Sequence, residues 1–335
     1  MVTSRDVAQL AGVSQMTVSR VLQGSTKVAA ATRERVLAAM KEAGYRPHAA
    51  ARTMRTRRTG TVGVVVADIT NPFYPQLLEA VGQALGEAGQ RMVLWNAPDF
   101  GGSSALAALD DGTVDGLIFT TVTEGSAELA EALRRGDPVV LLHRGLDSLE
   151  CDQVTTDNVA GGRAVADYLV AGGHTRIGFL RGPELPSTAR HREQGFRERL
   201  AELRHPLAEA LTRQGGFAHD VSRRAMRDLL SQEEPPTAVF CANDLTALGA
   251  VDGAVSLGRR VPQDVWVVGY DDIAMTAWDS YDLTTVRQPI ADMARAAVGL
   301  LLERVEDRSL PPRRQTFPSE LTIRGSTART AWPGE

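Results

Sequence analysis

The sequence predicts an α/β protein: a small all-helical head followed by two lobes, each built on a parallel sheet. Three observations carry this. Short apolar runs of strand length alternate with helical stretches after Gly60. The stretch 61–335 is too long for one such sheet and suits two. The charge is split: residues 1–58 hold eleven Lys and Arg against Asp6, Glu34 and Glu42, a net +8, while the rest carries −12. A basic head on an acidic body implies an anionic partner for the head alone, and nucleic acid is the first candidate.

The head reads as three short helices. Asp6 to Ala11 places Val7, Ala8 and Leu10 on one stripe, with Thr3 as N-cap and Asp6 three residues on. Gly12-Val13 breaks this helix. Ser14 caps a second, Gln15 to Leu22, whose apolar positions are Val18, Val21 and Leu22. A third runs from Ala31 to Ala43, with Val36, Leu37 and Met40 inward and Gly44 as its stop. Around Ala49–Arg55 one more short helix fits, with too little apolar surface to stand alone, and Thr56–Gly60 reads as a linker.

In the body, strand-length runs fall at Val62–Val66, Met92–Trp95, Gly116–Phe119, Val139–Leu142, Ile177–Leu180, Ala238–Cys241 and Val265–Gly269. Continuously apolar strands separated by helices indicate parallel sheets covered on both faces. The segment Asn96–Val114 is rich in Gly and Ser, and a shortened helix is expected there.

Composition excludes several classes. Cys151 and Cys241 are too few for a disulfide framework or a four-cysteine zinc site and read as small buried apolar residues. No apolar run has the length of a membrane span, and Met1–Asp6 lacks the pattern of a signal peptide, so a cytoplasmic protein with no membrane partner is expected. No glycine-rich dinucleotide fingerprint follows the first strand, there is no phosphate loop or nucleophile elbow, and the six histidines have no metal-ligand spacing. No enzyme, cofactor or metal is therefore expected.

Two helices joined by Ala11-Gly12-Val13-Ser14 have the size and turn of a helix-turn-helix, whose second helix puts its first residues on base edges in the major groove. Here those are Gln15 and Met16, with Arg20 one turn on. Gln suits adenine, Arg suits guanine, and Met offers apolar contact to a thymine methyl. Ser14, Thr17 and Ser19 can donate to phosphate. The plain alternative, a helical bundle with a solvated polar face, leaves the positive charge without a partner.

These residues carry a resemblance. Asp6-Val7-Ala8, Ala11-Gly12-Val13-Ser14 and Thr17-Val18-Ser19-Arg20-Val21-Leu22 resemble the headpiece of the lactose-repressor (LacI/GalR) family of bacterial transcription regulators. Gly44-Tyr45-Arg46-Pro47 and Ala49-Ala50-Ala51-Arg52 resemble its hinge helix. The match continues through Asn71-Pro72-Phe73-Tyr74, Val114-Asp115-Gly116, Asp157-Asn158, Ala242-Asn243-Asp244, Gly269-Tyr270-Asp271-Asp272 and Leu283-Thr284-Thr285-Val286-Arg287-Gln288-Pro289. The resemblance implies a helix-turn-helix domain at 1–46 and a hinge at 47–60. It implies a sensor similar to periplasmic binding proteins, with Rossmann-like lobes at 61–156 plus 288–316 and at 157–287 plus 317–328, and a tail at 329–335. Crossovers between the lobes are placed near Asp157, Arg287–Gln288 and Phe317.

It further implies a homodimer on a palindromic double-stranded operator. Ala51, Arg52, Met54 and Arg55 of the hinge would lie in the minor groove, with Met54 where relatives carry a Leu wedge. Two departures stand in the head. Ala29 replaces a common capping Ser before the third helix, and Ser4 stands where an apolar residue is usual, so a core contact is expected to be missing.

The implied function is a repressor of sugar-utilisation genes controlled by a small molecule, a sugar or sugar derivative, bound between the lobes. The alternatives are a purine- or nucleoside-responsive regulator of the same architecture and a free solute-binding protein. Carried over residue by residue, the ligand set is Asn71, Phe73, Tyr74, His143, Arg144, Arg192, Phe217, Asn243, Asp271 and Gln288. Arg, Asn and Asp suit paired hydroxyls, and aromatic faces suit the apolar face of a sugar ring. His143 stands where many relatives have Asp, which predicts ligand affinity changing between about pH 5 and 8. Trp278 is left open between ligand and dimer partner.

The hinge generates the first prediction. Met54→Ala is expected to abolish operator binding while the protein stays folded; unchanged affinity in a gel-shift assay would contradict the wedge.

Overall fold

The computed structural model describes residues 2–22, 25, 27–45, 58–97, 103–123, 125, 127–146 and 148–327. The hinge residues Ala51, Arg52, Met54 and Arg55 and the tail 329–335 lie outside the described residues. The chain divides into two compact units, 1–59 and 60–335.

The first unit holds α1 (Ser4–Leu10), α2 (Gln15–Leu22) and α3 (Ala30–Glu42). Helix α1 starts at Ser4 because Thr3 and Asp6 form a reciprocal capping box: Thr3 Oγ1 accepts from Asp6 N and Thr3 N donates to the Asp6 carboxylate. Ser14 Oγ accepts from Thr17 N at 3.1 Å and starts α2. Ala29 offers α3 no such bond. Val7, Ala8, Ala11, Val18, Val21, Val36 and Ala39 make the core. Three residues read as inward are not: Leu10, Leu22 and Leu37 are 49%, 37% and 51% exposed. Short helices at close range bury alanine at 8, 11 and 39, and the larger side chains fall to the rim.

The second unit carries two six-stranded sheets. The first has order β11-β5-β4-β3-β1-β2, from Arg314–Phe317, Asp152–Thr156, Val139–Leu142, Gly116–Phe119, Thr61–Val66 and Arg91–Asn96, every pair parallel. The second has order β12-β10-β9-β8-β6-β7, from Glu320–Thr322, Thr284–Arg287, Trp266–Asp271, Ala238–Cys241, Ile177–Arg181 and Thr212–Gln214, with only β12 antiparallel. Helices α4 (Phe73–Glu87), α5 (Ser103–Asp110), α6 (Ala127–Arg134), α7 (Asn158–Ala171), α8 (Ser187–Glu202), α9 (His219–Leu230), α10 (Asp244–Val255) and α11 (Ile290–Glu306) connect the strands. Among its described residues, the Gly/Ser-rich stretch supplies the eight-residue α5.

The seven apolar runs all become strands. Five strands escape the pattern, namely β5, β7, β10, β11 and β12, whose sequences are polar or very short. Phe317 ends β11 in the first sheet, one residue past the boundary expected at 316; its carbonyl accepts from Asp157 N at 2.9 Å, pinning two chain passages together. Cys151 and Cys241 are buried free thiols, and burial pushes the Cys151 thiol up to about 12. No helix among the described residues is long and apolar enough to cross a membrane, and no group of three metal-binding side chains occurs among them.

One helix contact positions the site. Helices α7 and α8 meet through glycines: a Cβ on Gly195 would strike the carbonyl of Val159, and a Cβ on Gly162 would strike the carbonyl of Arg192. Gly195→Ala is therefore expected to cost about 1–3 kcal/mol through overpacking. Chemical denaturation of the full chain checks it, and an unchanged midpoint would show that the helices can separate freely.

Candidate functional site

The head presents its second helix as an open surface. Ser14, Gln15, Met16 and Arg20 are exposed and Thr17 and Ser19 half-buried, with Met16 at 63%. Ser14 is part of the cap: its hydroxyl also pairs with Thr17 Oγ1 at 2.9 Å. The structure revises the expectation at Ser4. Its hydroxyl accepts from Gln15 Nε2 at 2.9 Å, so the residue read as a lost core contact holds the side chain expected to read a base. One N–H of the amide is used this way, and the second N–H and Oε1 keep the pair needed for adenine N7 and N6.

In the body, nine of the ten expected ligand residues surround one space between the two sheets, and Thr188 joins them. Asn71, Phe73 and Tyr74 follow β1 into α4; Asn71 Oδ1 accepts from Phe73 N at 3.1 Å and turns the chain there. His143 and Arg144 follow β4. Asn243 follows β8, Asp271 ends β9, Phe217 follows β7, and Thr188 and Arg192 lie four apart on α8. These are the C-terminal ends of parallel strands, where open α/β sheets offer a crevice. Gln288, the tenth, sits behind them: its Nε2 donates to Asp271 Oδ1 at 2.7 Å and its Oε1 accepts from Thr156 Oγ1 at 2.9 Å.

Arg192 is the centre of the set and only 1% exposed. Its Nε donates to Asn158 Oδ1 at 2.9 Å, one terminal nitrogen to the Ala242 carbonyl at 2.7 Å and the other to Asp271 Oδ1 at 2.9 Å. The guanidinium lies 3.7 Å from the centroid of the Tyr270 ring. Three of its five N–H groups are thus engaged, and two remain for a ligand. Asn243 has a local duty too: its Oδ1 caps α10 through Thr246 N at 3.0 Å, which leaves its amide N–H groups to act as donors. Across the cleft, Arg144 donates to Tyr74 Oη at 3.0 Å, and the Phe73 and His143 rings pack at a tilt of 38° with centroids 4.3 Å apart.

Two features mark the space as built for a ligand. His143, Phe217 and Asp271 all have positive φ, at 75°, 57° and 120°, and non-glycine residues held there concentrate at binding sites. His143 Nδ1 and Thr188 Oγ1 are buried without a hydrogen-bond partner. A buried polar atom left unpaired is costly, and two in one cleft call for a polar guest. The lobes meet closely enough that the enclosed space is about 10 Å³, the room of one water, so a guest requires them to part.

Burial sets the protonation. It pushes the Asp271 carboxyl up against the pull of Arg192, and pushes Asp244 up as well, where the neighbouring Asp271 adds to the effect. Asp244 lies behind the cleft and accepts from Thr285 Oγ1 and Ile273 N at 2.6 and 2.9 Å. Burial, with Arg192 and Arg144 nearby, holds His143 well below the usual imidazole range. Burial thus favours the neutral form of His143, which weighs against the pH response expected from it. Trp278 is exposed and does not line this space.

Comparison with known proteins agrees with this arrangement. Residues 3–48 match the family described as bacterial regulatory proteins, lacI family, and residues 166–327 match a periplasmic binding protein-like domain. The chain is 37% identical to the HTH-type transcriptional regulator CelR of Thermobifida fusca over 96% of both chains. It is 33% identical to the HTH-type transcriptional repressor PurR of Vibrio vulnificus (strain CMCP6), over 98% of this chain and 99% of the relative. The chain belongs to the lacI family of bacterial regulatory proteins.

Solved structures show the same fold. A complex of CelR with cellobiose has a TM-score of 0.74 at 35% identity and covers 97% of this chain and 100% of its own. A lac repressor dimer bound to operator and the anti-inducer ONPF has a TM-score of 0.85 at 30% identity, covering 97% and 99%. This lacI-family chain is a DNA-binding transcriptional regulator. Ser4→Ala is accordingly expected to relax the base preference opposite Gln15. Selection of operators from a random library checks this, and an unchanged preference at that position would show that Ser4 does not orient the amide.

Proposed function

We propose that this protein is a homodimeric repressor whose operator affinity is set by a small hydroxylated effector, a sugar or sugar derivative, held between the lobes. The observation that carries it is that unpartnered buried His143 Nδ1 and Thr188 Oγ1 line one space with Arg192, Asn243 and Asp271 and with the rings of Phe73 and Phe217. Both donors to Asp271 use Oδ1, so Oδ2 is the oxygen open to a hydroxyl. Arg192 and Asn243 supply donors, and the aromatic faces cover an apolar ring face. CelR, whose structure holds cellobiose, supports a carbohydrate; the PurR relatives favour the second reading, a purine.

The partner subunit has a surface to meet. Edge strand β2 exposes Met92, Val93 and Leu94, and Val255 and Trp278 are also exposed. Apolar edges of this kind call for a cover. The reading is of a cytoplasmic regulator, associated with the nucleoid when bound to DNA, and not of an enzyme. Effector and operator must affect each other's affinity by the same factor.

A thermal-shift screen against sugars and nucleosides, followed by operator titration with any hit, tests the proposal. A sugar that shifts melting and changes operator affinity supports it. A response to purines alone gives the second reading, and no response from either class overturns both.

Acidity supplies a further prediction. The ionised Asp271 is the form that accepts from a hydroxyl and attracts Arg192. Arg192, Gln288, Asp244, Arg144 and His143 are the polar groups around it. Its raised carboxyl protonates well above the ~4 of an ordinary carboxylate. Effector binding favours the ionised form, so binding releases protons and affinity falls as pH drops below neutral. Isothermal titration flat from pH 7 to about 5 would show that Asp271 does not accept from the ligand.

A further inference from the structure

We propose that the cleft has an outer chamber that takes a second hydroxylated ring, so that the effector is a neutral disaccharide. This rests on the reading above that the inner space holds a hydroxylated effector, and it adds the size and the second subsite.

The outer chamber is a cavity of about 290 Å³ beside the inner one, with His143 lining both. Its size of about 290 Å³ falls just short of the ~300–1,000 Å³ of ligand pockets. Helix α8 serves both chambers through residues one position apart. Thr188 and Arg192 line the inner space, while Ser187 and His191 line the outer. Each pair is spaced by four, so two neighbouring stripes of one helix face two neighbouring chambers. The floor is sheet: Thr155 of β5 and Thr316 of β11 are register partners, and both line the chamber.

The chemistry of the lining selects the guest. Hydroxyls and amides dominate, and among the described residues no aromatic ring other than histidine lines the chamber. A purine base would find no apolar face to cover it. A sugar ring would find short donors and acceptors around it. Arg314 and Asp157 bring opposite charges, which favours a neutral guest. Asp157 Oδ1 is held by Ala160 N at 2.8 Å, and Arg314 donates to the carbonyls of Leu146 and Leu149 at 3.3 and 3.0 Å. The unpartnered Nδ1 of buried His143, at the shared wall, is then the group that meets a ligand spanning the two chambers.

The test is isothermal titration of the full-length protein with cellobiose, maltose and lactose, with glucose and galactose, and with hypoxanthine and guanine. One disaccharide is expected to bind about tenfold or more tightly than its own monosaccharides, a difference of ~1.4 kcal/mol. Thr316→Trp fills the outer chamber from an exposed strand position that tolerates Trp, and is expected to bring that affinity ratio towards one. If its melting temperature falls, Ser187→Leu reads the same ratio from the α8 side. A monosaccharide that binds as tightly as its disaccharides, or a ratio untouched by both variants, overturns the second subsite and leaves the sugar reading standing. Binding of a purine alone, or of no ligand in the panel, overturns both.

Discussion

A guanidinium taken out of water has to be tied down, and the sensor is arranged around that requirement at Arg192. Its partners come from α7, the end of β8 and the end of β9, and the ring of Tyr270 covers it. Losing one partner of such a buried pair costs more than its formation gains, because the remaining charge stays desolvated. The helix that carries Arg192 must therefore lie at one fixed depth. Gly162 and Gly195 set that depth by letting α7 and α8 approach backbone to backbone. The packing of two helices thus fixes a charge, and the charge fixes the end of the strand that carries Asp271.

The two walls of the cleft are unequal. The second-sheet wall, with Arg192, Asn158, Asp271 and Gln288, is a hydrogen-bonded network that still leaves two Arg192 N–H groups, Asp271 Oδ2 and Thr188 Oγ1 open. The first-sheet wall contributes rings and His143, whose Nδ1 is not satisfied. A guest that parts the lobes therefore meets an unsatisfied polar atom on each face. A neutral His143 offers this wall one donor and one acceptor. Like Phe217 and Asp271, it is held at positive φ, a conformation that the surrounding packing has to maintain.

Much of this was legible in the residues. Gly116–Phe119, Val139–Leu142 and Ala238–Cys241 are strands at the expected boundaries, because a strand buried on both faces is apolar at every position. Ser14 and Thr3 announced helix starts through capping chemistry. Asp152–Thr156 and Arg314–Phe317 did not announce themselves: they are strands because they pair with each other and, for β5, with β4. Thr188 could have been found four residues before Arg192, on the same helical face. Ser4 could not, since its partner Gln15 is brought to it by the turn between two helices.

By itself the sequence determined the α/β body, the helix-turn-helix, the split of charge between them and the residue types of the cleft. Each of these depends on local pattern or on motifs whose order survives along the chain. Only the tertiary structure decided that Leu10, Leu22 and Leu37 stay outside, that burial favours a neutral His143, that Gln288 acts through Asp271, and that one helix serves two chambers. Those outcomes depend on which groups are buried together, and burial is a property of the packed chain.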